Sequence, residues 1–135
     1  ISALKYLSVM IDNAYEYAKS GDDYPTRCRK TTAALQKQFP NLFFIESFQS
    51  KFGKEPWLEP STSETLNKLA QVGKTNIHIM APAFTAECLE TLEELEVENR
   101  NIFMQAGGKQ YHYLQAANDD TLFIDCLEEL VRPYL

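Results

Sequence analysis

Residues 75–115 read TNIHIMAPAFTAECLETLEELEVENRNIFMQAGGKQYHYLQ, and the architecture turns on what they form. TNIHIMAP is a short apolar run bounded by turn residues, the pattern of a strand buried on both faces. The middle carries helical spacing, with Thr85 as a candidate N-cap and Gly107-Gly108 as a stop signal. KQYHYLQ then alternates as a second strand. Two strands joined by a helical crossover of this length pair in parallel, because a tight hairpin is not available to them.

Working outward, the same alternation continues. PTRCRKTTAALQKQF opens with Pro25, suited to a first helical turn, and closes before Pro40. NLFFIESF is another buried strand. STSETLNKLAQVG starts on a capping box, Ser61 with Glu64, and stops at Gly73. NDDTLFIDCLEELVR is a last helix, capped by Asn118 or Asp119 and halted before Pro133. The pattern predicts an α/β fold: a three-layer domain over residues 21–135, with a short parallel sheet covered by helices on both faces. Residues 1–20 stand apart. Leu4, Leu7, Ile11, Ala14 and Ala18 follow 3,4 spacing with no Gly or Pro before Gly21, which predicts an extra helix in an atypical N-terminal segment.

Composition narrows the function. The chain has 135 residues, 44% hydrophobic and 24% charged, enough for one core. A net charge of -6 excludes sequence-independent nucleic-acid binding, which needs a basic stripe to displace counterions. No apolar run approaches the roughly 20 residues that span a bilayer, so a soluble, cytoplasmic protein is expected. Three widely spaced cysteines, Cys28, Cys88 and Cys126, with only two histidines, suit a reducing compartment and no zinc or iron–sulfur site. Cys88 and Cys126 fall on the apolar sides of their helices, where buried thiols are common.

The middle helix is the chemical anomaly. Six glutamates occupy twelve positions, 87–98, with no basic residue before Arg100. On a helical wheel Glu87, Glu90, Glu94 and Glu98 fall within roughly 80°, while Cys88, Leu92, Leu95, Ile102 and Phe103 gather on another face. Like charges at i,i+4 cost about 0.2–0.5 kcal/mol per pair on an exposed helix. Either water screens this ridge or a cation uses it. Crowded glutamates also raise one another's pKa, which suits proton shuttling.

Four segments, SGDDYPTRCRKTT, FQSKFGKEPWLEPST, APAFTAECLETLEEL and NIFMQAGGKQYHYLQAAN, together resemble the ferrochelatase family over about residues 17–135, in family order and spacing. Ferrochelatases insert ferrous iron into protoporphyrin IX in haem synthesis, and are more than twice this length, with two similar Rossmann-like halves closing a porphyrin cleft. The resemblance is to the C-terminal half. It implies that Glu90 is the active-site carboxylate, accepting pyrrole protons or guiding metal. It further implies that Glu87, Glu94 and Glu98 form an interior acidic path on a helix with a π-type widening, and that Trp57, Ser50 and Tyr24 lie at the porphyrin. The implied partners are porphyrin, a divalent metal, and the N-terminal half or another chain, with a homo-oligomer or a peripheral membrane association as further options. No permanently bound cofactor and no iron–sulfur cluster is expected.

One departure stands out. The family's histidine motif precedes the GDDYP-like stretch, and its histidine would fall near Ile11, where SVMIDNAYEY has no His, Gly or Pro. That opens a second reading, a non-catalytic chelatase half that binds tetrapyrrole or pairs with a separate chain; a cobalt chelatase is disfavoured by the scarcity of histidine. Ordinary roles also stand beside the implied ones. Glu87 gains from the helix dipole, Trp57 suits a loop anchor, and Tyr24 and Ser50 suit capping. His78 and His112 suit structural positions. Gly107-Gly108 ends a helix and so cradles no phosphate.

Overall fold

The structure is a computed structural model and describes residues 21, 23–49 and 58–135, together with the main chain of 6–11. Four strands, β1 (Tyr6–Ile11), β2 (Phe43–Phe48), β3 (Asn76–Met80) and β4 (Gln110–Leu114), form one parallel sheet in the order β2-β1-β3-β4. β1 pairs with β2 from Tyr6↔Phe43 to Ile11↔Phe48 and with β3 from Tyr6↔Ile77 to Val9↔Met80. β3 pairs with β4 from Asn76↔Gln110 to Met80↔Leu114.

Residues 6–11 therefore correct the helix expected across 1–20; the rest of that segment lies outside the described residues, apart from the strand itself. The physical reason is competition between two periods. Leu4, Leu7 and Ile11 satisfy helical spacing, yet YLSVMI is also a six-residue run rich in β-formers. A central strand needs apolar residues on both faces, and a continuous run supplies them.

The helices are α1 (Tyr24–Gln38), α2 (Thr62–Gln71), α3 (Asn99–Gln105) and α4 (Thr121–Val131). A π-helix, Glu90–Glu98, leads directly into α3. Pro25 opens α1 as expected, and the Ser61 hydroxyl caps α2 by accepting from the Glu64 amide at 3.4 Å. Asp120, rather than Asn118 or Asp119, caps α4, its carboxylate accepting from the Leu122 amide at 2.9 Å. Asn118 instead takes a left-handed φ of 51° in the preceding turn, a conformation its short polar side chain tolerates.

Alternation along β2 sorts the layers. Ser47 meets Thr62 of α2 at 3.1 Å, and Ile45 joins the main core, on one face; Glu46 accepts from Thr32 of α1 at 3.0 Å, and Phe48 packs on Cys28, on the other. The main core gathers Leu66, Ile77, Ile79, Leu95, Phe103 and Tyr111 between sheet and the α2–α3 layer. Leu95, Ile79 and Phe103 are fully buried, each contributing about 1.5–3 kcal/mol of apolar transfer. Among the described residues, coverage of the opposite face is incomplete over β3 and β4, where the rings of His78 and His112 stack at 4.7 Å and His112 and Leu114 are exposed. α4 has no buried residue, so Cys126 is an exposed thiol and not the buried one expected.

Candidate active site

A parallel sheet sends every strand's carboxyl end to one edge, and ligands settle where the strand order reverses. Here the order reverses between β1 and β3. Tyr24, Ser50, Trp57 and the acidic segment all follow carboxyl ends of strands in sequence. Ser50 and Trp57 lie outside the described residues. Tyr24 is half-buried at the start of α1, packed on the small Cys28–Phe48 cluster with Leu58. A pocket of about 360 Å³ opens at the same edge, lined by Met80, Pro82, Phe84, Leu114, Ala116 and Phe123 among others.

The segments after β3 and β4 are fastened to each other beside this pocket. Glu87 Oε1 accepts from the Ala116 amide at 2.7 Å, and Glu87 Oε2 accepts from Tyr113 Oη at 2.9 Å and from the Thr91 hydroxyl. The Glu87 amide donates to Asn118 Oδ1 at 2.9 Å, and the Asn118 amide donates to the Thr85 carbonyl at 2.8 Å. Burial pushes the Glu87 carboxyl up, but the donors Thr91, Ala116 and Tyr113 outweigh it and hold it below the usual range. Burial pushes Tyr113 up to about 12, so it stays a donor. Thr85 therefore does not cap the helix; regular winding starts later, at Leu89, after this fastening has set the direction of entry.

Glu90 begins the π-helix on its exposed side. A hydrogen bond from the Cys88 side chain, helped by its own backbone amide, holds its carboxyl below the usual range. The expectation that crowding raises these carboxyls is thus reversed at Glu87 and Glu90, where donors at short range outweigh screened repulsion between neighbours. Glu94 is half-buried and Glu98 exposed. The ridge is not interior within this fold, and Glu90 does not line the pocket wall. Among the described residues, no group of three or more His, Cys, Asp and Glu side chains converges to hold a metal ion.

The π winding has a visible cause. Where i→i+5 bonding gives way to i→i+4, the register slips and side chains join the backbone donors. Asn99 donates to the Glu94 carbonyl through its backbone amide and, at 3.0 Å, through Nδ2; Tyr111 Oη donates to the Leu95 carbonyl at 2.5 Å, and Arg100 Nε to the Glu96 carbonyl at 3.0 Å. Arg100 also donates through Nη1 to the Tyr111 carbonyl at 2.9 Å and lies 5.1 Å from that ring's centre. Tyr111, Tyr113, Thr91 and Asn99 were not singled out by sequence reasoning; Asn118 was named only as a candidate helix cap and Arg100 only as the first base after six acids.

Comparison with known proteins follows the same outline. A family description, Ferrochelatase, matches residues 14–135. The Coproporphyrin III ferrochelatase of Symbiobacterium thermophilum is 54% identical over 119 residues, which are 88% of this chain and 37% of that protein. The ferrochelatase of Pectobacterium atrosepticum is 54% identical over 117 residues, covering 85% of this chain and 37% of its own length. The chain thus spans little more than a third of these relatives. A solved structure, a putative cobalamin biosynthesis CbiX protein from Marinobacter aquaeolei, superposes with a TM-score of 0.63 at 8% identity, covering 96% of this chain and 95% of its own, a likeness of fold.

Proposed function

The chain belongs to the ferrochelatase family, and from that premise we propose that it supplies the C-terminal part of an enzyme inserting ferrous iron into a porphyrin. The observation that carries the reading is the position of Glu90 at the head of a π-helix in the segment that follows β3, the strand at whose carboxyl end an apolar pocket opens. π-type winding is concentrated at functional sites. Metallation removes two pyrrole protons while a dication sheds water. A carboxylate held ionised by the Cys88 side chain is a weak base, so Glu90 serves the metal first, as an oxygen ligand that guides the ion inward. Glu94 and Glu98 extend that approach. Glu87, with both carboxylate oxygens engaged, positions Glu90 instead of relaying protons. Tyr24, Ser50 and Trp57 are assigned to the porphyrin side. The porphyrin is protoporphyrin IX or, as in the name of the Symbiobacterium relative, coproporphyrin III.

The experiment is ferrous or zinc insertion into each porphyrin, followed by the Soret band, with the chain joined to the family's N-terminal portion. Glu90→Gln is expected to abolish turnover, and full turnover by that variant would defeat the assignment. A specific observation favours a second reading. β1 runs to Ile11, so the strand that bears the family's histidine is present while the histidine is not. A chain that binds porphyrin with no insertion by the joined protein would establish the non-catalytic half. No helix among the described residues is long and apolar enough to cross a membrane; a cytoplasmic setting, peripheral to a membrane or not, is part of this proposal.

A further inference from the structure

We infer that Asn118 is a positioning residue for the proposed metal insertion: its carboxamide holds the main chain at the head of the acidic helix and so sets where Glu90 stands. The inference rests on the reading of Glu90 given above and adds a residue that touches neither metal nor porphyrin.

Asn118 does not cap α4, because Asp120 does. Its polar groups serve the segments at the carboxyl edge of the sheet. The Asn118 amide donates to the Thr85 carbonyl at 2.8 Å, its Oδ1 accepts from the Glu87 amide at 2.9 Å, and its Nδ2 donates to the Ala116 carbonyl at 3.2 Å. One residue thus joins the chain after β3 to the chain after β4, across 31 positions. Thr85 and Ala116 line the apolar pocket, and Glu87 lies three residues before Glu90. A left-handed φ of 51° at Asn118 accompanies these bonds, and Asn is among the few residues that accept it.

The amides ahead of a helix find no acceptor within its own backbone. Here two of them are held by side chains, from opposite directions. The Cys88 amide donates to Thr91 Oγ1 at 2.9 Å, a bond inside the first turn. The Glu87 amide donates to Asn118, a bond to another part of the fold. The first shapes the turn; the second fixes where that turn stands relative to β4. Glu90 is exposed and bonded to Cys88 of its own turn, so its place follows the course of that turn. A reacting group moved by about 1 Å loses on the order of a hundredfold in rate.

The test places two substitutions in the chain joined to the family's N-terminal portion. Asn118→Gly accepts the left-handed turn and keeps the main-chain bond to Thr85, but deletes the carboxamide. Asn118→Asp also accepts that turn and keeps an acceptor for the Glu87 amide, where an anion ahead of a helix is favoured. Zinc insertion is measured well below the unfolding midpoint of each protein. In Asn118→Gly, kcat is expected to fall about 10–100-fold, with the KM for porphyrin little changed because the bond to Thr85 across the pocket remains. Asn118→Asp is expected to recover most of that loss. Amide exchange at Glu87, followed without metal or porphyrin, is expected to quicken in Asn118→Gly and to stay slow in Asn118→Asp. An Asn118→Gly protein with unchanged kcat overturns the inference, whether its unfolding midpoint falls or not, since only the turn or the stability would then depend on Asn118. An Asn118→Asp protein as slow as Asn118→Gly overturns it too. If the unsubstituted joined protein inserts no metal, the reading of Glu90 fails and this inference with it; if that protein works and Asn118→Gly matches it, this inference fails alone.

Discussion

Tyr111 joins the strand that ends the sheet to the helix that carries the acids. Its hydroxyl is buried and donates to the Leu95 carbonyl, while burial pushes its pKa well up and keeps the proton in place. Tyr111→Phe retains the ring under Arg100 but leaves a buried carbonyl without that donor. The cost expected is about 1–3 kcal/mol, read as a lower urea midpoint. If the stability is unchanged, the carbonyl has another partner and the π winding does not depend on Tyr111. Glu87 offers a second check through pH. Its folded pKa lies below the ordinary 4.5, so the carboxylate adds stability above that value and loses it as pH falls through the folded one. The stability difference between wild type and Glu87→Gln is therefore expected to be flat near neutrality and to shrink on acidification below about 4.5. A difference that grows in acid would contradict the donor arrangement. These roles were not legible in the sequence, because Tyr113, Ala116 and Asn118 reach Glu87 across 26 to 31 positions.

At the scale of elements, legibility follows how local the signal is. The capping box at Ser61, the proline at the head of α1 and the glycine stop at Gly73, whose φ is +81°, are local and were readable. β1 was misread because its identity is decided by the two neighbours that enclose it, and both lie far along the chain. The π-helix was anticipated only through family resemblance; its cause, donors from β4 and α3, has no signature in helical periodicity. The stop after α3 was read correctly but for half its reason. Gly107 needs its positive φ of 107°, whereas Gly108 needs space. A Cβ on Gly108 would sit 2.3 Å from the Phe103 ring and 2.7 Å from its carbonyl. Phe103 is fully buried and has no room to yield. Gly108→Ala is expected to destabilise by at least about 1–3 kcal/mol, and a thermal midpoint equal to wild type would mean that the α3–β4 turn can shift as a unit.

For the whole molecule, the decisive property is that the described residues give the candidate site one wall. Small-molecule pockets bury about 70–90% of their ligands, and affinity grows with the apolar area removed from water. The pocket lined by Phe84 and Phe123 is open, Glu90 faces solvent, and on the proposed reading a flat tetrapyrrole laid across this edge would present its other face to water. The isolated chain is therefore expected to bind metal-free porphyrin weakly, and the chain joined to its complementary portion at least about a hundredfold more tightly, since 2.7 kcal/mol is a modest share of one buried macrocycle face. Soret titration of both proteins measures the ratio. Phe84→Ala is expected to weaken binding in both, because that ring lines the wall this chain itself provides. Equal affinities for the two proteins would mean that this unit alone forms the whole porphyrin site, and the acidic ridge would then be a solvated surface of a porphyrin carrier, not the approach to a reaction centre.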